Sequence, residues 1–163
     1  IMATFDLVCK IDSGEFKNVL EQVRKLIAGR YDFKNSKTTV EERENVIEII
    51  TEDEVKMKAA VDILRTTMAK RGIGQNALEA GEIESTGKQM VKLIMTMKQG
   101  IDKDHWKIIQ KAVKESGLKV TCQYMDEKVR LTSKQIDDLQ QVFQLLKNHK
   151  EVKLDLQMEN MKR

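Results

Sequence analysis

The chain has 163 residues, 40% of them hydrophobic and 34% charged, with 29 Lys and Arg against 26 Asp and Glu for a formal net charge of +3. That length fits one ordinary domain or two small ones, and no apolar run reaches the roughly 20 residues that a membrane span needs. So slight a basic excess permits contact with an anion without marking a nucleic-acid binder. Two cysteines, Cys9 and Cys122, make no disulfide framework, and IMATFDLVCKID carries no secretory leader, so the expected location is the cytoplasm.

In chain order, residues 5–11 read as a strand. A helix is expected from Asp12, with Glu15 three residues on in a capping-box-like arrangement. Its apolar stripe is Phe16, Val19, Leu20, Val23 and Ile27, and Gly29 ends it. A hairpin follows over 36–41 and 46–51, with Glu44 and Asn45 in the turn. A second helix is expected from Thr51, with Glu54 at the reciprocal capping position; it presents Met57, Val61, Leu64 and Met68 and closes on Lys70, Arg71 and Gly72. A further strand is expected between residues 77 and 84.

The stretch GEIESTGKQ, residues 81–89, comes close to a phosphate-binding loop. It misses on three counts. The spacing between Gly81 and Gly87 is one residue too long, Gln89 has no hydroxyl for a magnesium ion, and the alternating run after it reads as a strand where a helix N-terminus is needed. The segment is read as a connector.

The second half repeats the order of the first. A strand over 90–98 leads to a helix from Asp102 with Trp106, Ile109 and Val113 inward and Gly117 at its end. A hairpin turns at Asp126 and Glu127, a helix from Thr132 carries Gln135 at the capping position and Ile136, Leu139, Phe143 and Leu146 inward, and 152–158 makes a last strand. Apolar positions also match residue by residue. Phe16, Val19 and Val23 correspond to Trp106, Ile109 and Val113, while Ile47, Ile49, Met57, Val61 and Leu64 correspond to Val129, Leu131, Leu139, Phe143 and Leu146. This points to an α+β protein made of a duplicated β-α-β-β-α-β, ferredoxin-like unit. Its antiparallel sheets carry helices on one face and leave the other open, as in ribonucleoprotein-like folds. The expected division is 3–86 and 87–163.

TFDLVCKID, the run GRYDFK at 29–34, DILRTTMAKRGI at 62–73, KQGID at 98–102 and SGLKV…VRLTSKQIDDLQ at 116–140 resemble the bacterial YajQ family over nearly the whole chain. The resemblance implies tandem ferredoxin-like domains that exchange their first strands, 5–11 and 90–98. It also implies a non-catalytic nucleotide-binding protein, in some members a cyclic di-GMP effector acting through a transcription factor. The chain departs from the family pattern at Ser133-Lys134, where Gly-Lys is usual, and at Met158 and Met161, where Phe is common.

The residues themselves offer no catalytic constellation and no metal-ligand spacing around His105 or His149, so neither an enzyme nor a cofactor is expected. The candidate nucleotide contacts are Arg30, Tyr31, Asp32, Lys34, Lys70, Arg71 and Lys98. An arginine pairs with phosphate, an aromatic stacks on a base, and an aspartate accepts from guanine N–H groups. The competing reading is that Arg30 and Arg71 finish helices while Tyr31 and Phe33 pack. RNA binding on the open sheet faces is the alternative function. An aromatic content of 4% and the lack of a Gly-aromatic RNP pattern give it little support.

Overall fold

The structure, a computed structural model, describes residues 1–163. Four helices and two antiparallel sheets make the chain an α+β protein. The elements are β1 (Ala3–Val8), α1 (Ser13–Gly29), β2 (Thr39–Arg43), β3 (Val46–Thr51), α2 (Glu54–Lys70), β4 (Leu78–Ala80), β5 (Glu84–Ser85) and β6 (Val91–Met97), followed by α3 (Lys103–Ser116), β7 (Thr121–Met125), β8 (Lys128–Ser133), α4 (Ile136–Lys147) and β9 (Gln157–Lys162).

The chain forms two compact units. One is the continuous stretch 11–98; the other joins residues 1–10 to 99–163. In the middle unit the strands run β2-β3-β6-β4, with β5 also on β6. In the terminal unit they run β7-β8-β1-β9. The first strand of the chain therefore pairs with β8 and β9, Phe5 opposite Leu131 and Leu7 opposite both Val129 and Met158. The strand β6 pairs with β3, Ile47 opposite Met95 and Ile49 opposite Leu93.

Each sheet alternates as a half-buried strand must. In the middle unit Ile47, Ile49, Leu93 and Met95 point into one core with Phe16, Val19, Val23, Met57 and Leu64 from α1 and α2. Phe5, Leu7, Val129 and Leu131 form the core of the terminal unit with Ile109, Val113, Leu139 and Leu146 from α3 and α4. Phe143 meets Phe5 edge-on at 5.9 Å. Tight two-residue turns close both helix-linking hairpins. Glu44 and Asn45 in one, Asp126 and Glu127 in the other, all have positive φ, the geometry that matches strand twist.

Helix starts differ from the sequence reading in three places. Asp12 does cap α1, accepting the Glu15 N–H at 2.8 Å. The Glu15 carboxylate does not return the bond, however, because it pairs with Arg71 at 2.9 Å. The cap of α2 is Asp53, which accepts from the Lys56 N–H at 2.8 Å, while Thr51 remains in β3 with its hydroxyl 2.8 Å from that of Thr38. Helix α4 begins at Ile136, four residues after Thr132, because β8 continues to Ser133. The last strand is also displaced. Val152, Leu154 and Leu156 are buried without ladder partners, and pairing begins at Gln157.

On the face of the terminal sheet away from its helices lies a polar cluster. Asp6 is only 5% exposed. It accepts from Arg130 Nε at 2.9 Å and Asn160 Nδ2 at 3.1 Å. The Arg130 guanidinium, with help from the Asn160 amide, holds the Asp6 carboxyl below its ordinary range. Beside it Glu159 pairs with Lys10 at 2.8 Å and Lys128 at 3.6 Å. Three cations against two carboxylates, placed side by side, leave this face a net excess of one positive charge, too little to attract a polyanion strongly.

Candidate functional site

The stretch 81–89 is a hairpin. Glu84 and Ser85 pair with Lys92 and Val91, the Thr86 N–H donates to the Met90 carbonyl at 3.0 Å, and Gly87 and Gln89 take positive φ to reverse the chain. Its backbone N–H groups are not gathered at a helix N-terminus, so the arrangement that cradles a phosphate is absent. Changing Lys88→Ala is expected to leave the affinity for GTP within twofold, as calorimetry would read. A tenfold loss, about 1.4 kcal/mol, would return the loop to consideration.

The seven candidate contacts do not converge. The run from Arg30 to Lys34 forms a 3-10 turn, Tyr31–Phe33, at the C-terminal end of α1. Phe33 is buried in the middle core, which anchors the turn and turns Tyr31 outward. Tyr31 is 88% exposed. Arg30 donates through Nε and Nη2 to the two Asp32 oxygens at 3.0 and 2.9 Å, and its guanidinium lies 6.0 Å from the Phe33 ring centre. This fork raises the Arg30 pKa and lowers that of Asp32, with the Asp62 carboxylate adding to the first and Lys56 to the second. Lys34 is exposed.

Lys70 and Arg71 stand at the other end of the helix pair. Arg71 follows α2 and reaches Glu15 in the first turn of α1, whereas Arg30 follows the last turn of α1. Seventeen residues of helix, about 25 Å at 1.5 Å per residue, separate the two ends. Gly72 and Ile73 close α2 onto Ala69 and Met68, and the basic side chains face the carbonyl end, where cations are favoured. Lys98 is again elsewhere, 18% exposed and 3.7 Å from Glu79. One compact cluster therefore contains Arg30, Tyr31, Asp32 and Lys34; the remaining three belong to other places in the unit.

The aromatics decide between ligand classes. Tyr124 faces the helices, stacks on Trp106 at 5.4 Å with 7° between planes, and donates its hydroxyl to the Ile101 carbonyl at 2.6 Å. Phe5, Phe16 and Phe33 are buried, and Phe143 and Trp106 pack against the terminal core. Tyr31 is thus the one exposed aromatic, and it is not on a sheet. Neither sheet presents a base-stacking platform on its helix-free face. The middle sheet there carries Thr39, Ile50 and Lys92 in one row, and Glu41, Glu48 and Ile94 in the next.

The cysteines and histidines have local structural settings. Burial pushes the Cys122 thiol up to about 11, which leaves it protonated and inert at neutral pH. Cys9 is buried. His105 accompanies the helix cap, its Nδ1 2.8 Å from Asp102, and His149 Nδ1 accepts from the Glu151 N–H at 3.1 Å. No helix is long and apolar enough to cross a membrane.

Ser133-Lys134, the departure from the family pattern, has a structural explanation. Ser133 Oγ donates to the Lys119 carbonyl at 2.7 Å and accepts the Gln135 N–H at 3.0 Å, so it ties the loop before α4. Its φ is negative, and glycine's freedom is not needed there. Sequence reasoning missed two grooves. One, of about 500 Å³, is edged by Met2, Lys119, Lys134 and this loop. The other, of about 380 Å³, lies between α2 and residues 80–83. Their walls come from segments far apart in the chain, and no local spacing marks them.

These features define a two-unit α+β protein with two antiparallel sheets. The chain belongs to the YajQ family: the profile described as "Nucleotide-binding protein YajQ-like" matches residues 3–162. It is similar to a "Nucleotide-binding protein" of Geotalea daltonii, 45% identical over 161 residues covering 99% of both chains. A protein of the same description from Cytophaga hutchinsonii is 44% identical over 163 residues, covering 99% of this chain and all of the relative. A third, from Geotalea uraniireducens, is 42% identical over 161 residues.

Proposed function

We propose that this chain is a non-catalytic nucleotide-binding protein of the bacterial cytoplasm that takes a guanine nucleotide, cyclic di-GMP included, and signals through a protein partner. The observation that carries the ligand class is the Arg30–Lys34 turn. It holds the one exposed aromatic between two cations, beside a carboxylate, on a base anchored by Phe33. Arg30 keeps Nη1 clear of Asp32, so it can donate to a phosphate without breaking its fork. The names of the relatives support nucleotide binding. RNA is the lesser reading, because stacking platforms are what single-strand readers need and these sheets have none.

The same chain is read as a duplication whose halves exchange first strands. Support comes from the pairing of β1 with β8 and β9 and of β6 with β3, and from matched strand bounds: β2 and β3 recur as β7 and β8 with the turn at the same place.

Titration with GTP, cyclic di-GMP and a mixed RNA pool at two salt concentrations tests the function. Nucleotide binding is expected to survive the higher salt, and RNA binding to collapse with counterion release. Arg30→Ala is expected to weaken the nucleotide by tenfold or more and to shift the melting temperature little, since its partner Asp32 is half-exposed and can turn to water. Salt-resistant RNA binding together with no nucleotide binding would refute the reading.

A further inference from the structure

The groove between α2 and residues 80–83 has a makeup unlike the others. Val61, Ile83 and Leu93 give it apolar walls, and along its α2 edge stand Lys58, Asp62 and Arg65. Lys58 and Asp62 are one turn apart and Arg65 nearly one turn further, so all three side chains project on one side of the helix. Although Asp62 sits between two cations, it forms no ion pair or hydrogen bond with either. Its carboxylate is exposed, and it acts at longer range on Arg30. Arg65 is held in place: Nη1 donates to the Gln75 carbonyl at 2.8 Å, which leaves Nε and Nη2 free to point elsewhere. An uncommitted carboxylate flanked by cations above an aliphatic cleft is a recognition arrangement with its ligand groups already spaced.

We infer that this groove receives the guanine base of the nucleotide, with Asp62 accepting the base N1–H and exocyclic N2–H groups and with Lys58, one turn nearer the Arg30 end of α2, meeting the phosphate. The inference rests on the nucleotide reading above and gives its base a place and a residue that recognises it. The volume of about 380 Å³ suits one mononucleotide and falls within the range of small-molecule sites. Flat base faces lie against Val61 and Ile83. A carboxylate that accepts two parallel N–H groups distinguishes guanine from adenine, whose corresponding edge offers no such donor pair. The stretch 81–89 takes part after all, but through Gly81 and Ile83 as wall and not through its lysine. Gly81 lies tight against β6. Its N–H donates to the Ile94 carbonyl at 2.9 Å, and a Cβ there would come within 3.3 Å of the same oxygen, which keeps that wall fixed. The Arg30 turn lies toward the same end of α2 as Lys58, since Asp62 acts on Arg30 and Lys56 on Asp32.

The test compares GTP, ITP and ATP binding to the full chain and to Asp62→Asn by calorimetry. ITP lacks the exocyclic amine. The unaltered chain is expected to bind GTP best, ITP more weakly and ATP weakest. Asp62→Asn should lose tenfold or more for GTP and nothing for ATP, with an unchanged melt because Asp62 supports no fold contact. Methyl resonances of Val61, Ile83 and Leu93 should shift on adding GTP. Asp62→Asn binding GTP as tightly as the parent, or losing GTP and ATP alike, would overturn the assignment while leaving nucleotide binding intact. A parent chain that binds no guanine nucleotide at all would overturn the functional reading itself.

Discussion

Cut between its two halves, the chain is expected to yield one folded piece only if the cut respects strand pairing. Residues 87–163, expressed alone, should show no cooperative melt. They lack β1, the strand between β8 and β9, and carry β6, whose partners β3 and β4 are missing. Phe5 and Leu7 are fully buried in the terminal core. Each contributes roughly 1.5–3 kcal/mol by burial, and the lost ladder adds to that. A small domain has about 5–15 kcal/mol in all, so losing both side chains and the central strand removes most of it. Residues 11–98, in contrast, contain a complete sheet, both of its helices and an uninterrupted core, and should melt as one transition. Thermal denaturation of the two fragments checks this. A sharp, high transition for 87–163 would mean that β1 is dispensable.

The second large effect is expected from Phe5→Ala. A fully buried Phe truncated to Ala costs about 3–5 kcal/mol, and here an edge-on contact with Phe143 goes as well. The location of the damage tests the topology. Hydrogen exchange should rise in β8 and β9, more than a hundred residues away in sequence, because those strands flank Phe5. Amides of β3 and β6 should keep their protection, although α1 of the middle unit follows Phe5 by only a few residues. Exchange spreading first into β3 would contradict the pairing of β1.

Much of this architecture can be read from periodicity. The stripe Phe16, Val19, Leu20, Val23 and Ile27 is the buried face of α1, and Ile109 and Val113 serve the same purpose on α3. Both helix-linking hairpin turns are visible because Asn, Asp and neighbouring Glu interrupt an alternating pattern. Helix starts were harder to read, for one physical reason. Thr51 with Glu54, and Thr132 with Gln135, fit a capping pattern at one register, but strand pairing holds the threonines in β3 and β8; Asp53 caps α2, and α4 starts after Gln135 without a side-chain cap bond. Which sheet a strand joins is not in its own residues at all. Alternation identifies β1 and β6 as strands and sets their faces, while their partners are chosen by packing over long separations.

The candidate site divides the same way. The Arg30–Lys34 run is local and was legible, including the choice between ligand contact and helix ending that its Arg30–Asp32 fork keeps in balance. That Lys70 and Arg71 lie a full helix length away was not legible, because it depends on α1 and α2 running in opposite directions. Asp62 carried no signal either. Among many surface carboxylates on helices, it is set apart only by Ile83, from the connection between β4 and β5, and Leu93, from β6, arriving beside its groove.

The place of β1 also bears on how the protein is made. Translation delivers residues 11–98 as an unbroken run, so that unit can close while the rest is still on the ribosome. The first ten residues emerge earlier still, yet Asp6 finds Arg130 only 124 positions later and Asn160 154 positions later. Throughout that interval Phe5, Leu7 and Val8 are a naked, hydrophobic strand tethered to a finished neighbour. Long separations between pairing residues slow folding, and unpaired apolar strands associate with one another. The nascent chain should therefore be most prone to aggregate, and most in need of a chaperone, after the middle unit is complete and before β9 has left the tunnel.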